Sequence, residues 1–504
     1  MPTGIVIVGL GPGSSDLWTT AARQALAAAP EIWLRTARHP GVESLDQLTR
    51  EPEAGARQIH SFDAWYDEAA DFTSLYERIA ARVLELGRRE QGVVYAVPGH
   101  PLVGEATVSR IWQLAAEAGL PVSIVPGLSF VEPTLTALGL DALEGGWQIA
   151  DADRLAAHHH PPLDPDRPVL IAQLYHRRLA SQVKLTLMNS YPDDHPISLV
   201  RAAGTGDETV AHCPLYELDR QPWIDHLTTL YVPPLPHPAS LSAFQETIAR
   251  LRAPGGCPWD RQQSHQSLRP YLLEETYEAL AALDTGDSRA LAEELGDLLL
   301  QIVLQVQIAI EAGEFMMSDV IQTIDAKLRR RHPHVFGDGH VAGVSEVLAN
   351  WETIKRAERA SAGPEHQPAG EAPAGPSVLD GVPRAMPALA RAQVIADRVV
   401  RVGFEWPTVE GVLDKLTEEA RELAAAQSAE ERAAELGDVL FVVVNLARWL
   451  GVDAESALRT TNERFSQRFR IVEQLAAERQ LKLTDLDIHA LDGLWDEAKQ
   501  RCAA

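Results

Sequence analysis

One internal duplication constrains the fold of this chain more than any other feature. The motifs EExxE, ELGD and WxxxK occur in this order, and the same three occur again about 140 residues further along. The first copies begin at Glu274, Glu294 and Trp351, and the second copies begin at Glu418, Glu435 and Trp495. Three motifs that repeat in register indicate that one domain was duplicated, so the sequence predicts two related domains.

The composition changes along the 504 residues of the chain. Short β-rich runs such as 5–8 and 92–97 alternate with helical stretches in the first 232 residues, which is typical of an α/β fold. The remainder has helical patterns interrupted by segments rich in Pro, Ala and Gly. The sequence therefore predicts a multidomain protein with an α/β domain and two all-α repeats. The predicted limits are 1–232 for the α/β domain, 233–242 for a Pro-rich linker, 243–360 for repeat 1, 361–377 for a flexible linker and 378–504 for repeat 2.

The duplicated acids lie at helical spacing. Glu275 and Glu278 share one helix face because they are three residues apart, and Glu294 and Asp297 share a face for the same reason. Apolar residues flank both pairs, so we expect helices that are buried in a bundle, with the acids on facing surfaces. Two carboxylates about 4 Å apart repel by about 4 kcal/mol at an effective dielectric constant of about 20, so converging acids need a cation. Mg²⁺ prefers oxygen ligands and binds phosphates, which makes it the expected metal.

Each acidic motif has an alternative interpretation as a solvated helix face. Glu is a good helix former, and EExxE alone is common. The faithful repetition of both motifs favours a metal site over this alternative.

Cations and tryptophans recur in the same register as the acids. Cations four residues apart on a helix can hold phosphates that the metal does not reach. The tryptophan of WxxxK either stacks on a base or ribose or lies in the core, and the sequence leaves both readings open. The residues concerned are Lys327, Arg331, Trp351 and Lys355 in repeat 1, and Arg464, Arg468, Trp495 and Lys499 in repeat 2.

The charge balance and the cysteines disfavour several classes of function. The formal net charge is −26, which disfavours a nucleic-acid binder because phosphate backbones need clustered Lys and Arg. Cys213, Cys257 and Cys502 are far apart in the sequence and form no CxxC pair, which is typical of a protein in a reducing compartment. The apolar runs are shorter than a membrane span, and the first breaks into glycines after Leu10, unlike a signal peptide. We therefore expect a cytoplasmic protein that binds neither nucleic acid nor membrane.

The helical half resembles the MazG family of all-α nucleoside triphosphate pyrophosphohydrolases. EExxE followed by ExxD carries the resemblance, together with Cys257-Pro-Trp-Asp260, residues 331–336 and Asn462-Glu-Arg-Phe465. The resemblance covers residues 241–504. It implies an all-helical fold, Mg²⁺ dependence, a homodimer, and hydrolysis of nucleoside triphosphates to monophosphate and pyrophosphate. House-cleaning of non-standard or surplus nucleotides is the role that it implies.

In MazG proteins with two repeats, the C-terminal copy is the usual catalytic one, and the resemblance assigns roles by motif. Glu418, Glu419 and Lys499 would take part in catalysis. The implied metal ligands are Glu419, Glu422, Glu435 and Asp438, with Glu275, Glu278, Glu294 and Asp297 as their counterparts in repeat 1. The implied nucleotide-binding residues are Lys415, Arg464, Arg468, Trp495 and Lys499, with Lys327, Arg331, Trp351 and Lys355 as candidates in repeat 1. Tyr271 stands where repeat 2 has Lys415, and Ala434 stands where a second acid often precedes ELGD, so activity of one or both copies remains open.

The first 232 residues resemble the tetrapyrrole (corrin/porphyrin) methylase family. The resemblance rests on Val8-Gly-Leu-Gly-Pro-Gly13, Val97-Pro-Gly-His-Pro101 and Val125-Pro-Gly-Leu-Ser129, and it implies two α/β lobes with S-adenosylmethionine in the cleft between them. Glycines let a backbone approach a ligand closely, although a tight strand-to-helix turn uses them too. The implied cofactor-binding residues are Gly9, Gly11, Gly13, Pro98, Gly99, His100 and Pro101. The alternative function is therefore a methyltransferase of a tetrapyrrole or other small acceptor, with the repeats as a nucleotide sensor or dimerisation module.

Overall fold

The chain forms two compact units. The computed structural model describes residues 4–45, 58–68, 71–361 and 377–503. Contacts divide the chain into Met1–Val347 and Leu348–Ala504. The predicted flexible linker, 361–377, lies outside the described residues except for its two end residues. The five domain limits given by the sequence stay predictions.

The first lobe of the first unit is an α/β structure with a parallel sheet. Its elements are β1 (Ile5–Gly9), α1 (Thr20–Ala28), β2 (Glu31–Leu34), β3 (Gln58–Ser61), α2 (Asp63–Glu68), α3 (Phe72–Gly87), β4 (Val93–Val97), α4 (Ala106–Glu117), β5 (Val122–Val125) and α5 (Val131–Leu138). The strand order is β3-β2-β4-β1-β5, and all neighbours are parallel. Every residue of the central strand β4 is buried, as expected for a parallel strand that helices cover on both faces. Its side chains alternate between two cores, with Tyr95 in one and Val94 and Ala96 in the other.

The second lobe has a mixed sheet. Its elements are β6 (Gln148–Asp151), α6 (Ala152–Ala156), β7 (Val169–Ala172), α7 (Arg177–Leu187), β8 (Pro196–Arg201), β9 (Thr209–Pro214) and β10 (Thr228–Val232). The strand order is β6-β7-β10-β8-β9, in which β6 and β7 are parallel and the other neighbours are antiparallel. The two α/β lobes that the sequence predicts are therefore confirmed.

Repeat 1 is helical, as predicted. Its elements are α8 (Leu241–Arg252), α9 (Pro258–Gln262), α10 (Arg269–Thr285), α11 (Ser288–Ala312), α12 (Met317–Arg331), α13 (Pro333–Phe336) and α14 (Val344–Ser361). Gly286 ends α10 in the left-handed conformation, with φ of 71°. The Asp287 carboxylate then caps α11 by accepting hydrogen bonds from the backbone N–H groups of Arg289 and Ala290. This short turn folds α11 back against α10, so the EExxE and ELGD motifs lie on packed helices.

Repeat 2 is helical as well, and a different turn joins its acidic helices. Its elements are α15 (Ala388–Val400), α16 (Val409–Ala425), α17 (Ala429–Trp449), α18 (Ala454–Glu478) and α19 (Ile488–Ala503). Ser428 starts α17 with a capping box, in which its hydroxyl accepts from Glu431 N and the Glu431 carboxylate accepts from Ser428 N. Helix α16 packs against α17, and α18 packs against α19.

The acid-bearing helices are less buried than the sequence predicts. Leu273 is 57% exposed and Leu295 is 53% exposed in repeat 1, and Leu436 and Leu440 of repeat 2 are half exposed too. The expectation of buried helices is wrong for the single chain, because the described residues leave one apolar side of each helix pair uncovered. By length and composition, α11 is the one helix of the described ranges that could cross a membrane, but it packs against α8 and α10 in a bundle.

Candidate functional site

Three carboxylates converge in repeat 2. Glu419 projects from α16, and Glu435 and Asp438 project from α17, so that one oxygen of each lies within 4.8 Å of the others. Glu419 is only 6% exposed, Glu435 is half-buried and Asp438 is exposed. The sequence spacing explains the arrangement, because residues three apart on α17 share the face that packs on α16. Glu422, the fourth predicted metal ligand, lies outside this tight group.

Repulsion within this cluster changes the proton affinity of its central acid. Burial raises the pKa of Glu435, and Glu422, Glu419 and Asp438 raise it further. Lys415 acts in the opposite direction. Glu422 is therefore close enough to belong to the same electrostatic site. A cluster whose charged form is disfavoured in this way gains stability from a bound divalent cation.

Repeat 1 also holds a cluster of three acids, two of which, Glu275 and Glu294, correspond to Glu419 and Glu435. Oxygens of Glu275 and Glu278 on α10 and of Glu294 on α11 lie within 4.8 Å of one another. Burial raises the pKa of Glu275, and Asp297 and Glu278 raise it further. Burial also raises the pKa of Glu294, with additional repulsion from Glu278 and Asp297. The structure thus brings together three of the four acids predicted for each repeat, and the fourth acts on them electrostatically.

Lys415 lies inside the repeat 2 cluster. Its Nζ atom is 2.7 Å from Glu418 Oε1 and 2.8 Å from Glu419 Oε1. These hydrogen bonds, to Glu418 first and then to Glu419, raise the pKa of the Lys415 ammonium. In the structure this lysine neutralises acids, and its role as a phosphate ligand stays a prediction.

Two of the predicted cations of α18 and α19, Arg464 and Lys499, are engaged within their own helices. Arg464 donates to Thr461 Oγ1 at 3.2 Å, and Lys499 pairs with Asp496 at 2.8 Å. Within the described part of the second unit, no ion pair joins Arg464, Arg468 or Lys499 to the acids of α16 and α17. The structure therefore does not bring these cations to the acids, and their role as phosphate ligands stays a prediction.

Trp495 lies in an apolar core of repeat 2, and the repeat 1 candidates lie on α12 and α14. Trp495 packs against the core formed by α18 and α19, and its ring lies 4.9 Å from the ring of Phe465. This position agrees with the core interpretation of the tryptophan. Lys327 and Arg331 are half-buried at the end of α12, and Trp351 is half-buried on α14. The side chain of Lys355 lies outside the described residues.

Three glycine-containing loops meet at the carboxyl edge of the first sheet. Gly9 ends β1, Gly99 follows β4 and Gly127 follows β5. A Cβ atom on Gly9 would lie 2.6 Å from Gly127 N and 2.6 Å from Gly99 O, so only glycine fits there. Gly11 and Gly99 form an antiparallel bridge. These glycines allow the loops to pack closely against one another. In α/β proteins, ligands bind in the crevice beside such loops.

The two lobes meet beside these loops. A Cβ atom on Gly13 would lie 2.7 Å from the carbonyl oxygen of Gly204 in the second lobe. Gln173, which follows β7, donates from Nε2 to Gly104 O at 2.8 Å and adopts the left-handed conformation with φ of 62°. A non-glycine residue held in that conformation is strained, and such strain collects at ligand sites. The remaining predicted cofactor-binding residues lie in the loop after β4, at Pro98, His100 and Pro101.

Comparisons with known proteins match both parts of this architecture. The tetrapyrrole (corrin/porphyrin) methylases match residues 4–219. The MazG nucleotide pyrophosphohydrolase domain matches residues 263–336 and 408–472, the two stretches that hold the acid clusters. The uncharacterized protein YabN of Bacillus subtilis (strain 168) is 40% identical over 504 residues, which is 98% of this chain and 98% of YabN. This chain belongs to the family of tetrapyrrole methylase–MazG fusion proteins.

Two relatives of the helical half are named for an activity. The nucleoside triphosphate pyrophosphohydrolase of Escherichia coli (strain K12) is 46% identical over 260 residues, which is 50% of this chain and 95% of that protein. The nucleoside triphosphate pyrophosphohydrolase/pyrophosphatase MazG of Thermotoga maritima is 43% identical over 259 residues, which is 51% of this chain and 95% of that protein. Homology to MazG pyrophosphohydrolases thus extends over half of the fusion protein.

Sequence reasoning missed a buried polar network in the methylase part of the fusion protein. Arg35 follows β2, and its Nη1 atom lies 2.9 Å from Glu105 Oε2 while its Nε–H donates to Tyr66 Oη at 3.0 Å. Glu105 also accepts a hydrogen bond from Thr107 Oγ1 at 2.6 Å. Burial raises the pKa of Tyr66 to about 12, so this phenol stays neutral. The sequence signal that could have revealed this network is the position of Arg35, which directly follows a strand at the edge where parallel sheets bind ligands.

Proposed function

We propose that this fusion protein hydrolyses nucleoside triphosphates to monophosphate and pyrophosphate, with Mg²⁺ held by the acids of its helical repeats. The observation that carries the proposal is the convergence of Glu419, Glu435 and Asp438 within 4.8 Å. The similarity of half the chain to two proteins named as nucleoside triphosphate pyrophosphohydrolases supports it. House-cleaning of non-standard or surplus nucleotides is the role we propose for this activity.

The donor set fits a hard divalent cation. Every candidate ligand atom is a carboxylate oxygen, the donor that Mg²⁺ prefers. The ammonium of Lys415 already lies 2.8 Å from Glu419 Oε1, which means that this position attracts a cation. When bound, Mg²⁺ supplies neutralisation of negative charge on the phosphate oxygens. The residues proposed to hold it are Glu419, Glu422, Glu435 and Asp438 in repeat 2, and Glu275, Glu278, Glu294 and Asp297 in repeat 1.

The side chains around the cluster have separate proposed tasks. Glu418 is exposed beside the buried Glu419, where a carboxylate can accept the proton of an attacking water. Cations orient a triphosphate by charge-assisted hydrogen bonds. The proposed phosphate ligands are Lys415, Arg464, Arg468 and Lys499.

We also propose that the protein is a homodimer. Large apolar side chains on the acidic helices of repeat 2 are between 39% and 49% exposed. Leu436, Leu440 and Val443 share one face of α17 by their spacing, and an exposed apolar face marks an interaction site. A second copy is the proposed occupant because the same helices carry the acid cluster of the MazG domain. The side chains concerned are Leu413, Leu436, Leu440, Phe441 and Val443.

Product analysis tests the proposed activity. The purified full-length protein is incubated with a panel of ribo- and deoxyribonucleoside triphosphates, with and without Mg²⁺, and the products are separated by chromatography. We expect monophosphate and pyrophosphate to appear only with the metal, and the fastest substrate identifies the preferred base. Diphosphate and orthophosphate as products, or no turnover on any nucleotide, would contradict the proposal.

S-adenosylmethionine-dependent methyl transfer is a second proposed function, carried by the methylase part. It is supported by the loops of Gly9, Gly99 and Gly127, which pack together at the carboxyl edge of the first sheet, where α/β sheets bind ligands, and by the contacts of the second lobe with Gly13 and Gly104 beside them. The acceptor proposed is a tetrapyrrole or another small molecule. Calorimetric titration of the full-length protein with S-adenosylmethionine tests the first step, and the absence of a saturable heat of binding would remove this function.

A further inference from the structure

Lys415 and Tyr271 hold the same position in the two repeats. Lys415 precedes Glu419 by four residues on α16, and Tyr271 precedes Glu275 by four residues on α10. Residues four apart on a helix lie on the same face, so each side chain starts one turn away from its acid cluster. The same position therefore carries a cation in repeat 2 and an uncharged phenol in repeat 1.

In repeat 2, the lysine ammonium occupies part of the acid cluster. Its Nζ atom binds Glu418 Oε1 at 2.7 Å and Glu419 Oε1 at 2.8 Å. The Glu419 side chain is only 8% exposed, whereas the Lys415 side chain is 34% exposed, so solvent screens this contact in part. Glu419 also belongs to the group of three acids whose oxygens lie within 4.8 Å. A metal that binds this group must therefore share or displace the ammonium.

In repeat 1, the corresponding side chain, Tyr271, brings no positive charge to the acid cluster. The ring of Tyr271 packs edge-on against Trp259 at 5.8 Å, and the tyrosine is 37% exposed. The charges that act on Glu294 come from Glu278, Asp297 and Glu293, all of them carboxylates. Among the described residues, no ion pair joins a cation to Glu275, Glu278 or Glu294, so this cluster has no counterpart of the Lys415 ammonium.

We propose that Lys415 is an internal counter-ion that makes the repeat 2 cluster bind divalent cations more weakly than the repeat 1 cluster. This inference rests on the proposed role of both clusters as metal sites. A single charge about 5 Å from a divalent ion in a water-like dielectric weakens binding by about tenfold. Repeat 1 consequently fills with metal first, and repeat 2 fills only as the metal concentration rises further.

Binding of Mn²⁺ to the full-length protein tests the proposal, with free Mn²⁺ measured by electron paramagnetic resonance. Wild type should show a tighter and a weaker class of site. Glu294→Gln should remove the tighter class and Glu435→Gln the weaker class, which assigns each to a repeat. Lys415→Met should tighten the weaker class by about tenfold and leave the tighter class unchanged. Tyr271→Lys should weaken the tighter class, whereas Tyr271→Phe should not.

The controls separate this effect from general changes in charge and folding. Lys482→Met removes one positive charge outside the acidic helices and should leave both classes unchanged. Circular dichroism of each variant establishes that it folds. If wild type binds two classes of Mn²⁺ and Lys415→Met leaves the weaker class unaltered or weaker still, the inference is wrong and the metal sites stand. If folded wild type binds no Mn²⁺ at all, the proposed metal function fails together with the inference.

Discussion

Glu419 and Glu435 lie on two different helices, yet a carboxylate oxygen of one lies within 4.8 Å of a carboxylate oxygen of the other. Glu419 is buried and Glu435 is half-buried, so solvent relieves this approach only in part. Such an arrangement is unfavourable without a cation and favourable with one, because carboxylate oxygens are the ligands that Mg²⁺ prefers. The same geometry recurs in repeat 1, and the duplication thus preserved a pair of acid-bearing helices.

The first prediction concerns the central acid of repeat 2. Glu435→Gln should lower nucleotide hydrolysis by more than about 100-fold, because loss of a metal ligand exceeds the 10- to 100-fold effect of an outer-shell change. Glu430→Gln is the matched control, since Glu430 is an exposed acid at the start of the same helix and lies outside the cluster. Steady-state assays of pyrophosphate release measure both. Equal activity of Glu435→Gln and wild type would remove repeat 2 from the reaction.

A second prediction concerns the packing of the glycine loops in the methylase part. Gly9→Ala should destabilise this part by about 1–3 kcal/mol, because the added methyl group would collide with backbone atoms of Gly99 and Gly127. Gly206→Ala is the control, since a Cβ atom there meets nothing within 4 Å. Urea unfolding followed by tryptophan fluorescence measures the difference. Equal midpoints for the two variants would show that the loops do not need a glycine at position 9.

A third prediction concerns pH. Burial lowers the pKa of His39 from the usual 6.5 to about 4. Between these values the unfolded chain binds a proton that the folded chain does not, so the free energy of unfolding is lost as the pH falls through this window. We expect a loss of about 2 kcal/mol between pH 7 and pH 5 from this residue. Urea unfolding of wild type and His39→Gln at both pH values measures this contribution, which should be present in wild type and absent in the variant. An identical pH dependence of the free energy of unfolding in both proteins would be inconsistent with a buried neutral His39.

A fourth prediction concerns the homodimer. Leu440→Asp should shift the protein towards the monomer, because it places a charge in the apolar side of α17 that a second copy is proposed to cover. Leu143→Asp is the control, since Leu143 is 92% exposed in the segment before β6 of the methylase part. Sedimentation velocity at equal protein concentrations compares them with wild type. A monomeric wild type, or a Leu440→Asp variant that stays dimeric, would argue against this interface.

The sequence predicted the acid clusters well because their geometry is local. Residues three apart on a helix share a face, and the turns at Gly286 and Ser428 bring each pair of helices together. The exposed side of Leu440 was not predictable, because burial of an apolar helix face depends on what packs against it. The Arg35–Glu105 pair was also missed, since residues far apart in the sequence meet there only through the fold.

The binding partners of Lys415 could not be predicted from the sequence for a different reason. Its charge made it a candidate phosphate ligand, but in the structure it binds the neighbouring carboxylates Glu418 and Glu419. Sequence alone cannot rank two anionic partners for one flexible ammonium, because the ranking depends on which anion is present. Metal binding by the Lys415 and Tyr271 variants therefore tests the role of Lys415, which the motif alone does not determine.

The central claim is tested most directly by phosphorus-31 NMR of a nucleoside triphosphate incubated with the full-length protein and Mg²⁺. Cleavage between the α and β phosphates should produce the resonances of pyrophosphate and nucleoside monophosphate together, without orthophosphate or diphosphate. The signals should fail to appear when Mg²⁺ is removed with a chelator. Appearance of orthophosphate and diphosphate, or pyrophosphate release that persists without metal, would contradict hydrolysis by the carboxylate clusters of the two repeats.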